Sequence, residues 1–432
     1  MKKRLLQVAL AAILMFLFTS AASAADFSRQ ADYLNRLQLL RGSAGGYQLS
    51  RAPTRLEAAV LVSRLISAGK AAGGGDAHPF IDVPSWADPS VEYLYQKGVV
   101  KGSSGRFFKP YAECTADMYL TYLLRALGYS DANGDFNSNT ARDFALGIGL
   151  LDEAMSNELK DKPFLRGHMA ALTFEALSCS PSSGEGGTET LLGRWIEENG
   201  QTEPAAEIKG LFEVCASLEA ALINTDALTK SEAHSSCTLK LIPGGEYSQK
   251  AVVKRSLDGE EPEAFSEITY DSAGETGWSR LYYKNGIAYL ENSANEKIKF
   301  ETEIETIFPK DPDAGRLPFG AGEISAYTET KNGENLNIEL TVDGSLYNGA
   351  IDFSGENGPD IAEKTVGSLN LIYEIGPDGL LNRQTMSFDF LYASDGGKSY
   401  GIYEETRIFP KEKEQTPIVF PSFSGFRDAP AQ

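Results

Sequence analysis

Cysteine and histidine are scarce in this chain: 432 residues carry four of the first and three of the second. So few cysteines cannot staple a chain of this length, and the fold must rest on apolar burial. Cys114, Cys179, Cys215 and Cys237 lack metal-ligand spacing, and His78, His168 and His234 share no motif. The sequence therefore offers no metal or cofactor site. Positive charge is short as well: 40 Lys+Arg against 60 Asp+Glu leave a formal net charge of −20. That balance repels phosphate backbones and argues against nucleic acid as a partner. Beyond the N-terminus no apolar run is long enough to cross a membrane. Gly-x-Ser-x-Gly elbows, His-Glu-x-x-His helices and phosphate loops are missing too, so no familiar catalytic motif is present.

What is there begins with a leader-like segment. Lys2, Lys3 and Arg4 precede an apolar stretch over 5–18, and Ala22-Ser23-Ala24 forms a small-residue cleavage site. This reads as a signal peptide over 1–24, and hence as a secreted protein. An apolar fraction of 42% excludes global disorder, and the length fits two or three domains. The charge divides unevenly. Residues 1–200 hold 20 basic and 21 acidic groups, so 201–432 hold 20 and 39, a net of −19. Two halves of such different charge are expected to do different jobs. Cys215 and Cys237 both fall in the acidic half, where export permits a disulfide. Four buried thiols packed as small hydrophobes are the other reading.

The first half repeats itself. Segments 31–66, 77–129 and 139–179 each open with a short apolar-periodic helix, expected over 31–40, 90–98 and 141–151. A turn follows, then a strongly apolar helix over 56–66, 119–127 and 169–177. Gly42 to Arg55, Gly102 to Ala116 and Glu153 to Arg166 span nearly equal distances, and Gly/Ser-rich joints lie at 69–76, 130–138 and 180–190. One helix–turn–helix of this size cannot bury its own faces, whereas three can share a core. The expected first half is an all-α bundle of three repeats, 25–68, 77–129 and 130–180, followed by a linker and closing helix over 181–204.

The motifs inside these repeats resemble those of the S-layer homology family. The second copy reads Phe80-Ile81-Asp82-Val83-Pro84-Ser85-Trp86, then Gly98-Val99-Val100-Lys101-Gly102, and the first supplies Thr54-Arg55-Leu56-Glu57. The resemblance covers about 26–180. It implies a pseudo-three-fold trimer of repeats that binds secondary cell-wall polysaccharide, often capped by a pyruvylated amino sugar. It also implies a place on the wall or S-layer of a Gram-positive-type bacterium.

The residues support that expectation in part. Thr54 and Glu57 form a capping box, which accounts for both. Arg55 is not so explained, because a cation in the first helical turn opposes the macrodipole. An Arg there fits a docked anion, and its planar fork matches the carboxylate of a pyruvate ketal. The third copy keeps the cation as Arg166 but loses both capping residues, and the second has Thr115 with neither Arg nor Glu. Polymer contact is therefore expected at Thr54, Arg55, Glu57 and Arg166, with Asp82 and Trp86 at the family's acidic and aromatic positions. Trp86 has two readings, stacking on a sugar or capping the bundle core. The polar stretch 131–142 superficially resembles a calcium loop, but Phe136 and Arg142 stand where Gly and Glu are required, so it reads as a turn.

In the acidic half a helix over 205–225 precedes a switch to period two. Strands are expected over 237–242, 247–254, 265–270, 278–284, 287–291, 297–302, 323–330, 336–342, 368–375, 384–393 and 400–409. Asn285-Gly286 and Asn332-Gly333 are two-residue hairpin signals. The expected architecture for 205–432 is α+β, a mainly antiparallel meander of about ten strands behind an N-terminal helix, curved or half-barrel-like. Trp278 to Phe300 gives this layout a weak similarity to LolA/LppX-like half-barrels of exported lipid- or lipoprotein-handling proteins. That implies a hydrophobic ligand, whereas an inert domain whose aromatics, Tyr282, Tyr289, Phe300, Tyr373, Phe388, Phe390 and Tyr403, fill its core is the plainer reading. The whole reads as a non-enzymatic, wall-anchored protein displaying a β-domain of unknown ligand, with a wall-anchored hydrolase as the alternative.

Overall fold

The structure is a computed structural model. It describes residues 27–69, 78–182, 190–307, 317–344 and 364–428, apart from 44, 138, 243, 258–260, 273, 318, 395–396 and 412–413. The leader segment 1–24 and much of the joints at 69–76 and 180–190 lie outside the described residues. The protein is multidomain: a helical unit and a unit built on a large, mostly antiparallel sheet.

The helical unit runs to Glu213 and also includes Ala321–Glu323. Its helices are α1 (Ser28–Arg36), α2 (Arg55–Ile66), α3 (Asp88–Gln96), α4 (Ala116–Ala126), α5 (Ala141–Gly147), α6 (Glu153–Asp161), α7 (Arg166–Ala176) and α8 (Leu191–Asn199). The strongly apolar helices α2, α4 and α7 touch one another pairwise and form the centre. Leu56, Leu61, Tyr119, Leu120, Met169, Leu172 and Phe174 are all buried there. Buried Tyr119 Oη and Thr173 Oγ1 lie 2.6 Å apart, which satisfies two polar groups inside that core. The outer helices follow a ring: α3 packs on α2, α5 on α4 and α1 on α7. Sequence reading missed α6, taking Glu153 as part of a turn. Asp152 caps this helix by accepting from the Met155 amide at 2.7 Å.

Helix α9 (Glu203–Asp226) carries the chain across the division at 213/214. One stripe of it is buried throughout, Ala205, Ile208, Leu211, Val214, Leu218 and Ala221. A continuous stripe leaves no composition break for sequence to read, so the boundary falls inside a helix rather than ahead of 205.

The β-unit contains β1 (Lys230–Ile242), β2 (Glu246–Ser256), β3 (Glu263–Ser272), β4 (Glu275–Lys284), β5 (Ile287–Asn292), β6 (Lys297–Glu301), the short α10 (Ile304–Ile307), β7 (Ile324–Asn332), β8 (Asn335–Asp343), β9 (Lys364–Val366), β10 (Ser368–Ile375), β11 (Leu381–Ser394), β12 (Gly397–Ile408) and β13 (Arg427–Asp428). The spatial order is β13-β6-β5-β4-β3-β2-β1-β12-β11-β10-β8-β7, with β9 on β11. It is not one meander but two, joined where the first strand pairs with the last long one, Leu239 opposite Tyr403. Asn285 and Gly286 take φ of 54° and 75° between β4 and β5, the left-handed pair that a tight hairpin needs.

Following the register assigns each side chain to a face. One face is apolar. At one end it holds Ala264, Leu281, Tyr283, Ala288, Leu290 and Ile298, with half-buried Phe300 packed on them. At the other it holds Ile338, Leu340, Leu371, Tyr373, Phe388, Phe390 and Tyr403. Tyr282 and Tyr289 point to the opposite face. There Phe423 stacks on Tyr289 at 3.7 Å, and Phe420 and Phe426 contribute further ring contacts. Cys215 and Cys237 remain thiols rather than a disulfide. Cys237 is on β1 beside Tyr403 and Glu405, whereas Cys215 lies near Tyr373 on β10. Three strand steps separate β1 from β10, roughly 14 Å, well beyond disulfide reach.

Gly401 lies under the buried Phe390 ring, and a Cβ there would collide with it. Gly401→Ala should lower the stability of the β-unit by about 1–3 kcal/mol, read as a drop in the denaturant midpoint of its β-sheet circular-dichroism signal.

Candidate functional site

The six residues singled out from sequence do not form one open cluster. Five of them belong to two equivalent junctions between a helix N-terminus and a loop, and Trp86 stands apart.

At the first junction the Arg55 amide donates to Ala112 O at 2.9 Å and the Leu56 amide to Pro110 O at 3.0 Å. Arg55 Nε donates to Phe108 O at 3.0 Å. At the second, the Arg166 amide donates to Arg51 O at 2.9 Å, the Gly167 amide to Leu49 O at 3.0 Å, and Arg166 Nε to Tyr47 O at 2.8 Å. The spacing along the accepting loop is the same in both cases. Lys109 (φ 58°) and Gln48 (φ 54°) each take the left-handed conformation one residue after the Arg-binding carbonyl. Two helices thus satisfy their orphan amides on carbonyls of a remote loop, and each Arg locks the joint. Both arginines are buried, at 6% and 8% exposure.

Asp82 braces the first loop. Its Oδ1 accepts from the Phe108 amide at 2.8 Å and its Oδ2 from the Lys109 amide at 2.9 Å. The acidic position of the Phe-Ile-Asp-Val motif thus shapes the turn that receives Arg55. Trp86 is 65% exposed, so it does not cap the core. It lies in the turn leading into α3, and Ile81, five residues earlier in the sequence, is also exposed.

Thr54 and Glu57 form the expected capping box: the Glu57 amide donates to Thr54 Oγ1 at 3.2 Å and the Thr54 amide to Glu57 Oε2 at 2.9 Å. The same carboxylate ion-pairs with Arg51, and Arg166 lies 3.0 Å from its Oε1. Burial by itself would raise the Glu57 carboxyl. The Arg51 and Thr54 hydrogen bonds and the Arg166 charge outweigh burial and hold it down at about 2. Helix α7 has half of such a box, because the Leu165 amide donates to His168 Nδ1 at 3.0 Å. His168 Nε2 then faces Glu158 of α6 at 3.3 Å. Sequence reading passed over this, since His is not a usual residue at the third helical position.

The two junctions differ in one place. The third helical position of α2 is Glu57, and Arg166 Nη1 meets it. The corresponding position of α4 is Met118, and Arg55 Nη1 meets the Met118 sulfur at 3.9 Å. The Arg166 charge is therefore neutralised. Arg55 lies over the Phe108 ring at 5.0 Å and has no carboxylate partner among the described residues. The calcium-loop look-alike is a salt-bridged turn, with Asp131 held by Arg125 at 2.8 Å and Lys101 at 2.9 Å.

No family model matches the sequence, and no curated protein matches it. Several solved structures are similar in part. Rv2717c from M. tuberculosis is 12% identical, covers 44% of this chain and 98% of its own, and has a TM-score of 0.17. The LolA superfamily protein NE2245 from Nitrosomonas europaea is 10% identical, with 47% and 95% covered and a TM-score of 0.16. A putative AttH (NE1406) from the same organism is 8% identical, with 42% and 51% covered and a TM-score of 0.15. Scores of this size assign neither a ligand nor an activity.

Glu57 supplies a pH test. Its carboxyl lies below the ordinary 4.5 in the folded chain, so its contribution is complete above about pH 5 and is lost as pH falls toward 2. Melts followed by helical circular dichroism should show this loss over that window. In Glu57→Gln the pH dependence should be smaller.

Proposed function

We propose that the helical unit is an S-layer homology-type module that holds the protein non-covalently on secondary cell-wall polysaccharide, and that the β-unit is displayed there to bind an apolar ligand. The ring of helix contacts and the duplicated junction support three copies of one repeat closed about a pseudo-three-fold axis. Three tethered copies that share a core explain why the apolar helices α2, α4 and α7 meet at the centre.

The observation that carries the reading is the difference between the two arginines. A pyruvate ketal brings a carboxylate, and a carboxylate is bound by a guanidinium that is not already paired. Arg55 meets that requirement, and Arg166, tied to Glu57, does not. The polymer's acidic sugar is therefore assigned to the junction of α2 with the loop 108–112, not to that of α7 with the loop 47–51. Trp86 and Ile81, exposed in the same copy as that loop, supply apolar surface of the kind that stacks on sugars.

Met118→Glu copies the Glu57 arrangement into the Arg55 junction and leaves the helix cap in place. Pulldown of the protein on purified pyruvylated wall polymer should fall at least tenfold in this variant and should not fall in Glu57→Gln, which frees Arg166. Undiminished binding by Met118→Glu and by Arg55→Ala would remove the carboxylate clamp from the proposal.

A further inference from the structure

Among the described residues of the β-unit three glutamates are buried: Glu232 at 5%, Glu291 at 8% and Glu405 at 2% exposure. Two of them face cations. Glu232 has His234 Nε2 at 2.6 Å, the Thr416 amide at 2.7 Å and Lys254 at 3.7 Å. Glu291 has Lys297 at 3.3 Å, Arg280 at 3.8 Å and the Tyr282 hydroxyl at 3.3 Å. Glu405 is the most buried and the least satisfied. Tyr403 Oη donates to its Oε2 at 3.0 Å, and its Oε1 has no hydrogen-bond partner among the described residues. An orphaned buried carboxyl oxygen leaves its desolvation uncompensated, so a leucine here would be the better structural choice.

The position of Glu405 gives that oxygen a meaning. It points to the apolar face of the sheet, opposite Cys237 on β1 and Met386 on β11. Gln249 lies beyond Cys237, and the next row holds Ser235, Arg407 and Gln384. A small polar island thus sits between the apolar cluster on β3–β6 and the aromatic cluster on β8–β12. The groups around the carboxyl are Tyr403 and Arg407 on its own strand, Cys237 on β1 and the uncharged Met386 on β11. Burial pushes the Glu405 carboxyl up to about 7, and burial likewise raises the Cys237 thiol to about 11, so that thiol stays protonated and unreactive. Glu232 and Glu291 each have a cation within 4 Å; Glu405 has no ion pair among the described residues, although the Arg407 charge on its own strand favours its ionised form.

We propose that Glu405 anchors a ligand site on the apolar face of the β-sheet, receiving the primary ammonium of an amine whose hydrocarbon chain lies along the flanking apolar cluster. This rests on the reading of the β-unit as a binder of apolar ligands and adds the head group that the site selects. Tyr403 positions the carboxyl, and the free oxygen accepts from the ammonium in a charge-assisted hydrogen bond.

The test is calorimetric titration of the full chain with octylamine and with 1-octanol, which share a chain and differ in the head. Octylamine should bind at pH 8 at least tenfold more tightly than 1-octanol. The gap should shrink at pH 6, where the carboxyl is protonated. Glu405→Gln, checked for fold by circular dichroism, should close the gap at pH 8. If that variant fails to fold, the pH comparison on the parent decides. Equal binding of both probes by the parent at both pH values overturns the role of Glu405 while the apolar-ligand reading stands. Binding of neither probe overturns both.

Discussion

An α-helix leaves its first amides without partners, and the helical unit is organised by how α2 and α7 dispose of theirs. Each helix seats its leading amides on carbonyls of a loop far away in sequence, at residues 110 and 112 or 49 and 51. A helix end fixed in this way has little freedom in position or direction, because amides and carbonyls must align to within a few tenths of an ångström. The Arg that opens each helix adds a third bond to the same loop, so each of these cations braces a joint. Asp82 holds the far side of one such loop, and Glu57 ties the other to α2 through Arg51. Long-range order in this unit is thus carried by backbone groups, with side chains as braces.

That arrangement sets what sequence could and could not say. The apolar periodicity of α2, α4 and α7 is strong, and the helices stand within a few residues of where the pattern put them. The capping box at Thr54 was legible because it is local: four residues contain both partners. Arg55 was legible as an anomaly, since a cation in a first turn asks for a reason. The reason itself, Phe108 O and the Met118 sulfur, lies 53 and 63 residues away. In the β-unit the hairpins were legible for the same local cause, alternation bounded by Asn-Gly and Gly-rich turns. The pairing of β1 with β12 was not, because it joins His234 to Ile408 across the length of the domain. The strands β9 and β13, at three and two residues, are too short to show a period. A disulfide between Cys215 and Cys237 was compatible with their spacing, and it takes the folded chain, where both are free thiols, to exclude it.

An open sheet has two edges, and exposed edges recruit other strands. Here the edges are treated differently. At β6 the chain end returns as β13, which pairs in parallel through Arg427 and Asp428. The segment leading to it is pinned at Thr416 by Glu232 and then laid down as Phe420, Phe423 and Phe426 over Tyr282 and Tyr289. Lys284 and Lys297 sit over the first and last of those rings, 4.7 and 5.5 Å from the centroids. The tail therefore covers an aromatic face as well as an edge.

At β7 there is no such cover among the described residues, and the strand protects itself by composition. After Ile324 nearly every residue to Asn332 is exposed, and Glu329 and Lys331 occupy positions that the register places on the apolar side. Charges on the side that ought to be apolar make that edge a poor template for a further strand. Part of the acidic excess of this half thus acts where it is least expected, at the margin of the apolar face. Moving inward from that margin, β8 and β10 are uniformly apolar on the same face, and polarity returns only at Glu405 and its neighbours near the sheet's centre. An edge charge is explained by solvent and by its making the edge a poor template for a further strand. A central one is not, and that contrast sets Glu405, with its unpartnered oxygen, apart from the carboxylates at the edge.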